Sequence, residues 1–191
     1  MNDDLKINII PVQKEQWDDF VKLFGPRGAC GGCWCMYWKL SHTEFENSKG
    51  DQNKLNQKDY ICSGNIPGLI TYFNDEPIGW IAVEPRENFT RLANSRILKP
   101  VDDQKVWSIP CFFIDKRYRN KGISTKLIEA AAKYAAGSGA RIIEGYPTDP
   151  VEKKMPAPFV YTGLANVFLK AGFIEVERRS LKRPIMRKFI I

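Results

Sequence analysis

The feature that most constrains the fold is a β-prone run, interrupted by a proline, that leads through a glycine-containing turn into a long helix. Residues Val106 to Ile114 are rich in β-branched and aromatic side chains, with Pro110 in the middle. Because proline has no amide hydrogen for a sheet ladder, we expect a bulge or a splayed strand there. The segment Thr125 to Ala136 has apolar residues at helical spacing, and Gly137 ends it.

The rest of the chain alternates strand and helix patterns. Gly68 to Phe73 and Pro77 to Val83 are separated by three polar residues and predict an antiparallel hairpin. Other patterns predict strands at Leu5 to Ile9, Arg141 to Glu144, Phe173 to Arg178 and Ile185 to Ile190, and helices at Trp17 to Phe24, Glu44 to Cys62 and Thr162 to Ala171. The proline-rich segment Pro147 to Pro158 predicts an irregular loop.

These elements predict a single α/β (α+β) domain over residues 1–191, with a mixed, mostly antiparallel central sheet, splayed strands and flanking helices. Residues 1–65 would supply the first strand, helices and a loop rich in cysteine and tryptophan. Residues 66–191 would supply the sheet, the glycine turn and the last helix.

The net charge of +7 gives the chain an average field that attracts anions: nucleic acid, an acidic membrane or a phosphorylated cofactor. The basic residues are spread along the chain, which argues against a nucleic-acid partner. Asp3 and Asp4 stand near the start and no apolar segment follows, so we expect no signal peptide, no membrane contact and a cytoplasmic location. The odd number of cysteines, five, fits a reducing compartment.

The turn that precedes the long helix reads Arg119-Asn120-Lys121-Gly122-Ile123-Ser124. The first amides of a helix have no partner within the helix, and together with the helix dipole they form an anion site. Gly122 would let the main chain approach a diphosphate closely. The alternative is an ordinary basic turn capped by Ser124 or Thr125.

This segment resembles the acyl-CoA signature of the GNAT superfamily of N-acetyltransferases, in which an aliphatic strand end leads to Arg/Gln-x-x-Gly-x-Gly/Ala and a long helix. Ile114 stands at the strand end, and the stretch Phe168 to Phe173 is similar to the family's aromatic-x-Lys-x-Gly-Phe helix end. The resemblance implies a GNAT-like fold, acetyl-CoA as the acyl donor, and direct acyl transfer to a primary amine of a small molecule or peptide. It is strongest from Val106 to Phe173 and weakest over the first sixty residues.

The resemblance also implies which residues hold the cofactor. The main chain of Phe112, Phe113 and Ile114 would pair with the pantetheine arm. The pyrophosphate would be held by the amides of Arg119, Asn120, Lys121, Gly122, Ile123, Ser124 and Thr125. The chain departs from the family at Phe168, where many members carry a tyrosine that protonates the departing thiolate.

Acyl transfer to an amine needs help with proton removal, since a lysine-type amine has a pKa of about 10.4. Glu144, on the strand after the long helix, is our candidate for the base, with Glu84 and Asp115 as lower-ranked alternatives. A salt-bridged structural carboxylate is the competing interpretation of Glu144. Tyr161 is the candidate proton donor, and ordinary packing is its alternative.

The cysteine-rich loop contains Cys30, Cys33 and Cys35 within six residues, and His42 is near in sequence. A structural zinc site usually has two separated ligand pairs, and the second pair is missing, so we expect no metal. We predict that the loop forms a wall of the acceptor pocket, and core packing alone is an equal alternative. The predicted substrate-binding residues are Cys33, Trp34, Cys35 and Tyr37.

Two other functional classes remain as alternatives. One is a GNAT-like protein that binds acyl-CoA without catalysis, which the missing tyrosine at position 168 permits. The other is a basic nucleic-acid-binding module, which the net charge favours but no motif supports. The acceptor, the acyl length and the oligomeric state, a homodimer included, stay open.

Overall fold

The computed structural model describes residues 6–149 and 161–190, which form nine strands and six α-helices. The strands are β1 Asn8–Pro11, β2 Gly68–Phe73, β3 Glu76–Ala82, β4 Glu84–Pro85, β5 Trp107–Ile109, β6 Phe112–Ile114, β7 Ile142–Gly145, β8 Ile174–Glu177 and β9 Ile185–Phe189. The helices are α1 Trp17–Phe24, α2 His42–Asn47, α3 Asp51–Cys62, α4 Thr90–Ala93, α5 Ile123–Gly137 and α6 Ala165–Lys170. Most of the predicted proline-rich loop lies outside the described residues.

The strands form two sheets that diverge at the predicted proline. The first sheet has the order β1-β2-β3-β6 with antiparallel neighbours, and the second has the order β4-β5-β7-β9-β8 with β5 and β7 parallel. The interruption at Pro110 is confirmed, because β5 and β6 lie on either side of it and belong to different sheets. As a result β6 is an edge strand, with no strand of the described chain on its second side.

The predicted fold class is confirmed by this mixed arrangement of sheets and helices. The hairpin is also confirmed, with Leu69 opposite Ile81 in an antiparallel register. The first strand begins later than predicted and includes Pro11. An edge strand tolerates a proline because the missing amide hydrogen can fall on the side of the strand that has no partner.

Two helix predictions need correction. The segment Glu44 to Cys62 forms two helices, α2 and α3, because Gly50 adopts a positive φ of 85° between them. The last helix begins at Ala165 rather than Thr162, because the Gly163 carbonyl accepts from the Thr148 amide as part of an extended pairing.

Helix α5 lies over the main core, which explains its pattern of apolar residues. Leu127, Ile128 and Ala131 are fully buried in one cluster with Ile81 and Ile143 of the two sheets. Burial of such side chains is worth about 1.5–3 kcal/mol each, so this contact fixes α5 and the turn before it. Within the described ranges, no helix is both long and apolar enough to cross a bilayer.

Candidate active site

The turn before α5 presents unpaired amides to open space. Gly122 adopts the left-handed conformation, with φ of 76°, and its carbonyl accepts from the Thr125 amide at 3.1 Å. The amides of Gly122, Ile123 and Ser124 donate to no acceptor in the described part of the chain. A Cβ built on Gly122 meets nothing within 4 Å. This end of the helix is therefore open to an anion.

The basic residues at the turn differ in whether carboxylates neutralise them. Arg117 is engaged by two carboxylates, Asp115 at 2.8 Å and Glu76 at 2.7 Å. The Arg117 guanidinium in turn lowers the pKa of Asp115. Arg119 and Lys121 are exposed and supply positive charge beside the open amides.

Backbone direction along β6 decides which of its groups can meet a cofactor. Cys111 accepts from β3 and Asp115 donates to β3, each at 2.9 Å. Because strand residues alternate in direction, Phe113 also directs its amide and carbonyl toward β3. Among the three residues predicted to pair with the pantetheine arm, Phe112 and Ile114 direct their backbone groups to the open edge.

Three of these four edge groups already have partners, and the weakest contact is that of the Phe112 carbonyl, which accepts from the Cys111 thiol at 3.9 Å. The Phe112 amide donates to the Tyr161 carbonyl at 2.6 Å, and the Ile114 carbonyl accepts from Arg119 Nε at 2.9 Å. The Phe112 carbonyl and the Ile114 amide remain directed to the open edge. A pantetheine arm would pair with these two groups or displace the Tyr161 carbonyl.

Glu144 lies in a buried ion-pair network. Its carboxylate accepts from Arg86 Nη1 at 3.0 Å, Arg187 Nε at 2.7 Å and the Tyr146 hydroxyl at 2.6 Å. The Glu144 side chain is 1% exposed. A proton acceptor has to reach its substrate, so this geometry suits a structural role better. The catalytic assignment of Glu144 stays a prediction.

The lower-ranked carboxylates are also engaged. Glu84 is buried and pairs with the Lys39 ammonium and the Tyr60 hydroxyl, while Asp115 is held by Arg117. Burial lowers the pKa of Lys39, and the opposing effect of Glu84 is smaller. Each of these two carboxylates therefore already has a cationic partner.

Most of the cysteine-rich loop is part of the core. The Trp34 ring stacks on Phe24 with ring centroids 5.9 Å apart, and the Cys35 sulfur accepts from Trp80 Nε1 at 3.0 Å. Burial and the neighbouring Cys35 raise the pKa of Cys33 to about 12, so this thiol stays protonated at neutral pH. The packing of Trp34 and Cys35 therefore agrees with the alternative in which this loop contributes to the core and not to an acceptor pocket.

The cysteines of the described chain form no disulfide, and all five are free thiols. The pKa of the Cys111 thiol is raised well above its usual value. The larger cause is a hydrogen bond with Cys35, and the second cause is burial. In residues 6–149 and 161–190, no group of three or more histidine, cysteine, aspartate or glutamate side chains is placed to hold a metal ion.

A cavity of about 360 Å³ is lined by both Tyr37 and Tyr161, and the hydrogen bond from the Phe112 amide to the Tyr161 carbonyl places it next to the first residue of β6. Their rings are 6.1 Å apart and nearly perpendicular. Tyr161 therefore lines the cavity with its side chain while its carbonyl contacts the edge strand. Burial, more than the neighbouring Tyr37, raises the pKa of Tyr161, so its hydroxyl keeps its proton at neutral pH.

Sequence reasoning missed the two arginines of this cavity, Arg91 and Arg183. Arg91 is on the four-residue helix α4, and Arg183 is in the loop between β8 and β9. Both are separated in sequence from the glycine turn, and neither belongs to a local motif, so only the folded chain brings them to the same cavity.

The fold and the open turn define a mixed α/β domain with an anion site at the start of its longest helix, and comparison of the sequence with known families assigns this domain to a family. The sequence profile of the acetyltransferase (GNAT) family matches residues 34–151, more than half of the chain. The chain belongs to the GNAT acetyltransferase family, which confirms the resemblance. A search of curated proteins gave no match.

Solved structures with the same fold include the PaiA N-acetyltransferase of Thermoplasma acidophilum in complex with coenzyme A, 16% identical with a TM-score of 0.55 over 97% of this chain and 99% of that one. Arylalkylamine N-acetyltransferase 2 of Aedes aegypti is 15% identical, with a TM-score of 0.60 over 97% and 100%. NAA60 of Arabidopsis thaliana in complex with acetyl-CoA is 14% identical, with a TM-score of 0.51 over 97% and 100%. At these identities the comparisons show a shared fold.

Proposed function

We propose that the protein transfers the acyl group of acetyl-CoA, or of a related acyl-CoA, directly to a primary amine of a small molecule or peptide. The observation that carries this proposal is the position of the open amides of residues 122–124, in the connection that leads from the end of the edge strand β6 into α5. The Tyr161 cavity lies at the opposite end of that strand. Similar structures bound to coenzyme A and acetyl-CoA support the choice of donor.

In this proposal the chain holds the cofactor mainly through its backbone. The open amides of Gly122, Ile123 and Ser124 bind the diphosphate, whereas the predicted Thr125 amide is already taken by the Gly122 carbonyl. Arg119 and Lys121 add positive charge. Phe112 and Ile114 offer the backbone groups that pair with the pantetheine arm. Acetyl-CoA, when bound, supplies a thioester carbonyl that an amine can attack.

Tyr161 is proposed to deliver the proton that the departing thiolate needs. Its side chain lines the cavity, and its raised pKa keeps the hydroxyl protonated at neutral pH. Phe168 cannot take this role because its fully buried ring has no hydroxyl. Removal of the acceptor's proton falls to solvent, because no carboxylate is among the described residues that line the cavity. The kcat/KM is therefore expected to rise with pH toward the acceptor's own pKa.

The test is release of free coenzyme A from acetyl-CoA in the presence of a panel of primary amines, with mass spectrometry of the acylated product. Tyr161→Phe is expected to lower kcat by about 100-fold, the effect typical of a lost general acid, with little change in the Kd of coenzyme A. Tyr72→Phe is the matched control, because its hydroxyl donates to Asp19 away from the cavity.

Two outcomes would contradict the proposal. Tight coenzyme A binding without acylation of any amine would favour the non-catalytic acyl-CoA-binding alternative. No affinity for coenzyme A together with tight, salt-sensitive RNA binding would favour the nucleic-acid alternative.

A further inference from the structure

The cavity beside β6 is positively charged on its described surface. Its cationic side chains are Arg91 and Arg183, and no aspartate or glutamate is among the described residues that line it. His42 is the other lining residue that can become cationic, and its side chain is 78% exposed. The charge of this cavity is complementary to an anion.

Arg91 has buried hydrogen-bond donors without a partner. Its guanidinium carbon lies 4.0 Å from the centre of the Tyr37 ring and 5.3 Å from that of Phe45. Its Nε and Nη2 atoms are buried and hydrogen-bonded to nothing. Because buried donors in folded proteins are nearly always paired, these two atoms require an acceptor that the described chain does not supply, either a water molecule or a ligand group.

The other charged groups near the cavity do not satisfy these arginines. Glu46 is the carboxylate whose pKa Arg91 helps to lower, but Lys49 is the largest cause of that shift and donates to Glu46 at 2.5 Å. Arg183 makes one long hydrogen bond, from Nη1 to the Tyr146 carbonyl at 3.4 Å. Both guanidinium groups therefore retain donors for a bound group.

We propose that the acceptor is a small primary amine that carries a carboxylate, and that Arg91 and Arg183 bind this carboxylate. A guanidinium presents two parallel donors that match the two oxygens of a carboxylate, which an ammonium group cannot do. The rings of Tyr37 and Tyr161 flank the rest of the acceptor, and Tyr161 is the nearer of the two to the edge strand β6. This inference rests on the proposed function and specifies its substrate class.

The test compares matched acceptors, L-amino acids with the corresponding L-amino acid amides, in the coenzyme A release assay. The acids are expected to have a kcat/KM at least about tenfold higher than the amides, which corresponds to one good charge-assisted contact. The lower amine pKa of the amides would favour them on reactivity alone, so this preference has to come from binding. Amides that react as well as the acids would overturn the inference.

Variants identify the groups responsible. Arg91→Gln and Arg183→Gln are each expected to reduce the preference for the acid over the amide to less than about threefold. Arg91→Lys keeps the positive charge but loses the two parallel guanidinium donors, so it should also weaken this preference. Arg96→Gln, at an exposed arginine outside the cavity lining, should keep the full preference. A full preference in Arg91→Gln, with a melting temperature equal to that of the wild type, would overturn the inference.

Binding without turnover separates this inference from the proposed function. Calorimetric titration of the same acids and amides into the protein, without acetyl-CoA, is expected to show acid binding that Arg91→Gln weakens by at least about tenfold. If this binding is present while no amine is acylated, the proposed function fails and the carboxylate site stands. If O-phosphoethanolamine binds more tightly than every amino acid, the site recognises phosphate and the carboxylate assignment is overturned.

Discussion

At the scale of single residues, the most consequential finding is how Glu144 is held. Ser108, Glu144 and Arg187 lie side by side in the register of β5, β7 and β9, and the Tyr146 hydroxyl is 2.8 Å from Ser108 Oγ. Arg187 also pairs with Asp102 at 2.6 Å. A buried carboxylate such as that of Glu144 is tolerated only when opposite charges and hydrogen-bond donors surround it. Loss of one residue of this network is therefore expected to leave the others without a partner.

Replacing Glu144 by glutamine is therefore expected to destabilise the protein, because Arg86 and Arg187 lose their buried counter-charge. We expect a loss of about 3–5 kcal/mol in the free energy of unfolding, measured by denaturant titration. Asp102→Asn is the matched control, with a smaller loss expected because the Asp102 side chain is 37% exposed. A Glu144→Gln protein as stable as the wild type, with kcat reduced about 100-fold, would instead support the catalytic assignment.

At the scale of elements, the junction between β7 and α6 decides how closely the last helix approaches the splayed strands. A Cβ built on Gly145 would lie 2.1 Å from Phe168 Cε1. The Phe168 ring also meets Phe112 at 5.8 Å and Phe173 at 5.0 Å, both edge to face. Gly145 thus allows Phe168 to fill the space at the point where the strands separate.

Gly145→Ala is expected to destabilise the protein by about 1–3 kcal/mol, because the new methyl group overlaps the Phe168 ring. Combining Gly145→Ala with Phe168→Leu should give a double variant whose loss in free energy of unfolding is about 1 kcal/mol smaller than the sum of the two single losses. Gly137→Ala, where an added Cβ meets nothing, should have an effect within about 0.5 kcal/mol. Strict additivity in urea unfolding of the double variant would show that the two residues do not compete for this space.

At the scale of the whole molecule, local signals explain which parts were predictable from the sequence. Pro110 marks the separation of the sheets and Gly122 marks the start of α5, because each residue imposes its backbone requirement on its own neighbours. The pairing of Glu144 with Arg86 and Arg187 depends on strands that meet only after folding. The same holds for the cavity between Tyr37 and Tyr161, so the sequence predicted the geometry of the glycine turn better than the presence of this cavity.

The net charge of +7 also acquires a more specific interpretation from the structure. Part of the positive charge is paired with carboxylates, as at Arg117, Arg178 and Arg187. The remaining cations that bear on function are near the turn, at Arg119 and Lys121, and in the cavity. This distribution is what the two proposed anion-binding positions, one at each end of β6, require.

The most direct test of the account is the affinity of coenzyme A for Gly122→Asp and Gly122→Asn, measured by isothermal titration calorimetry. Asn and Asp have nearly the same shape and both tolerate the left-handed backbone of this position, so the pair differs mainly in charge beside the open amides. The account predicts that the aspartate variant binds coenzyme A at least about tenfold more weakly than the asparagine variant. Equal affinities in the two variants, both close to that of the wild type, would contradict it.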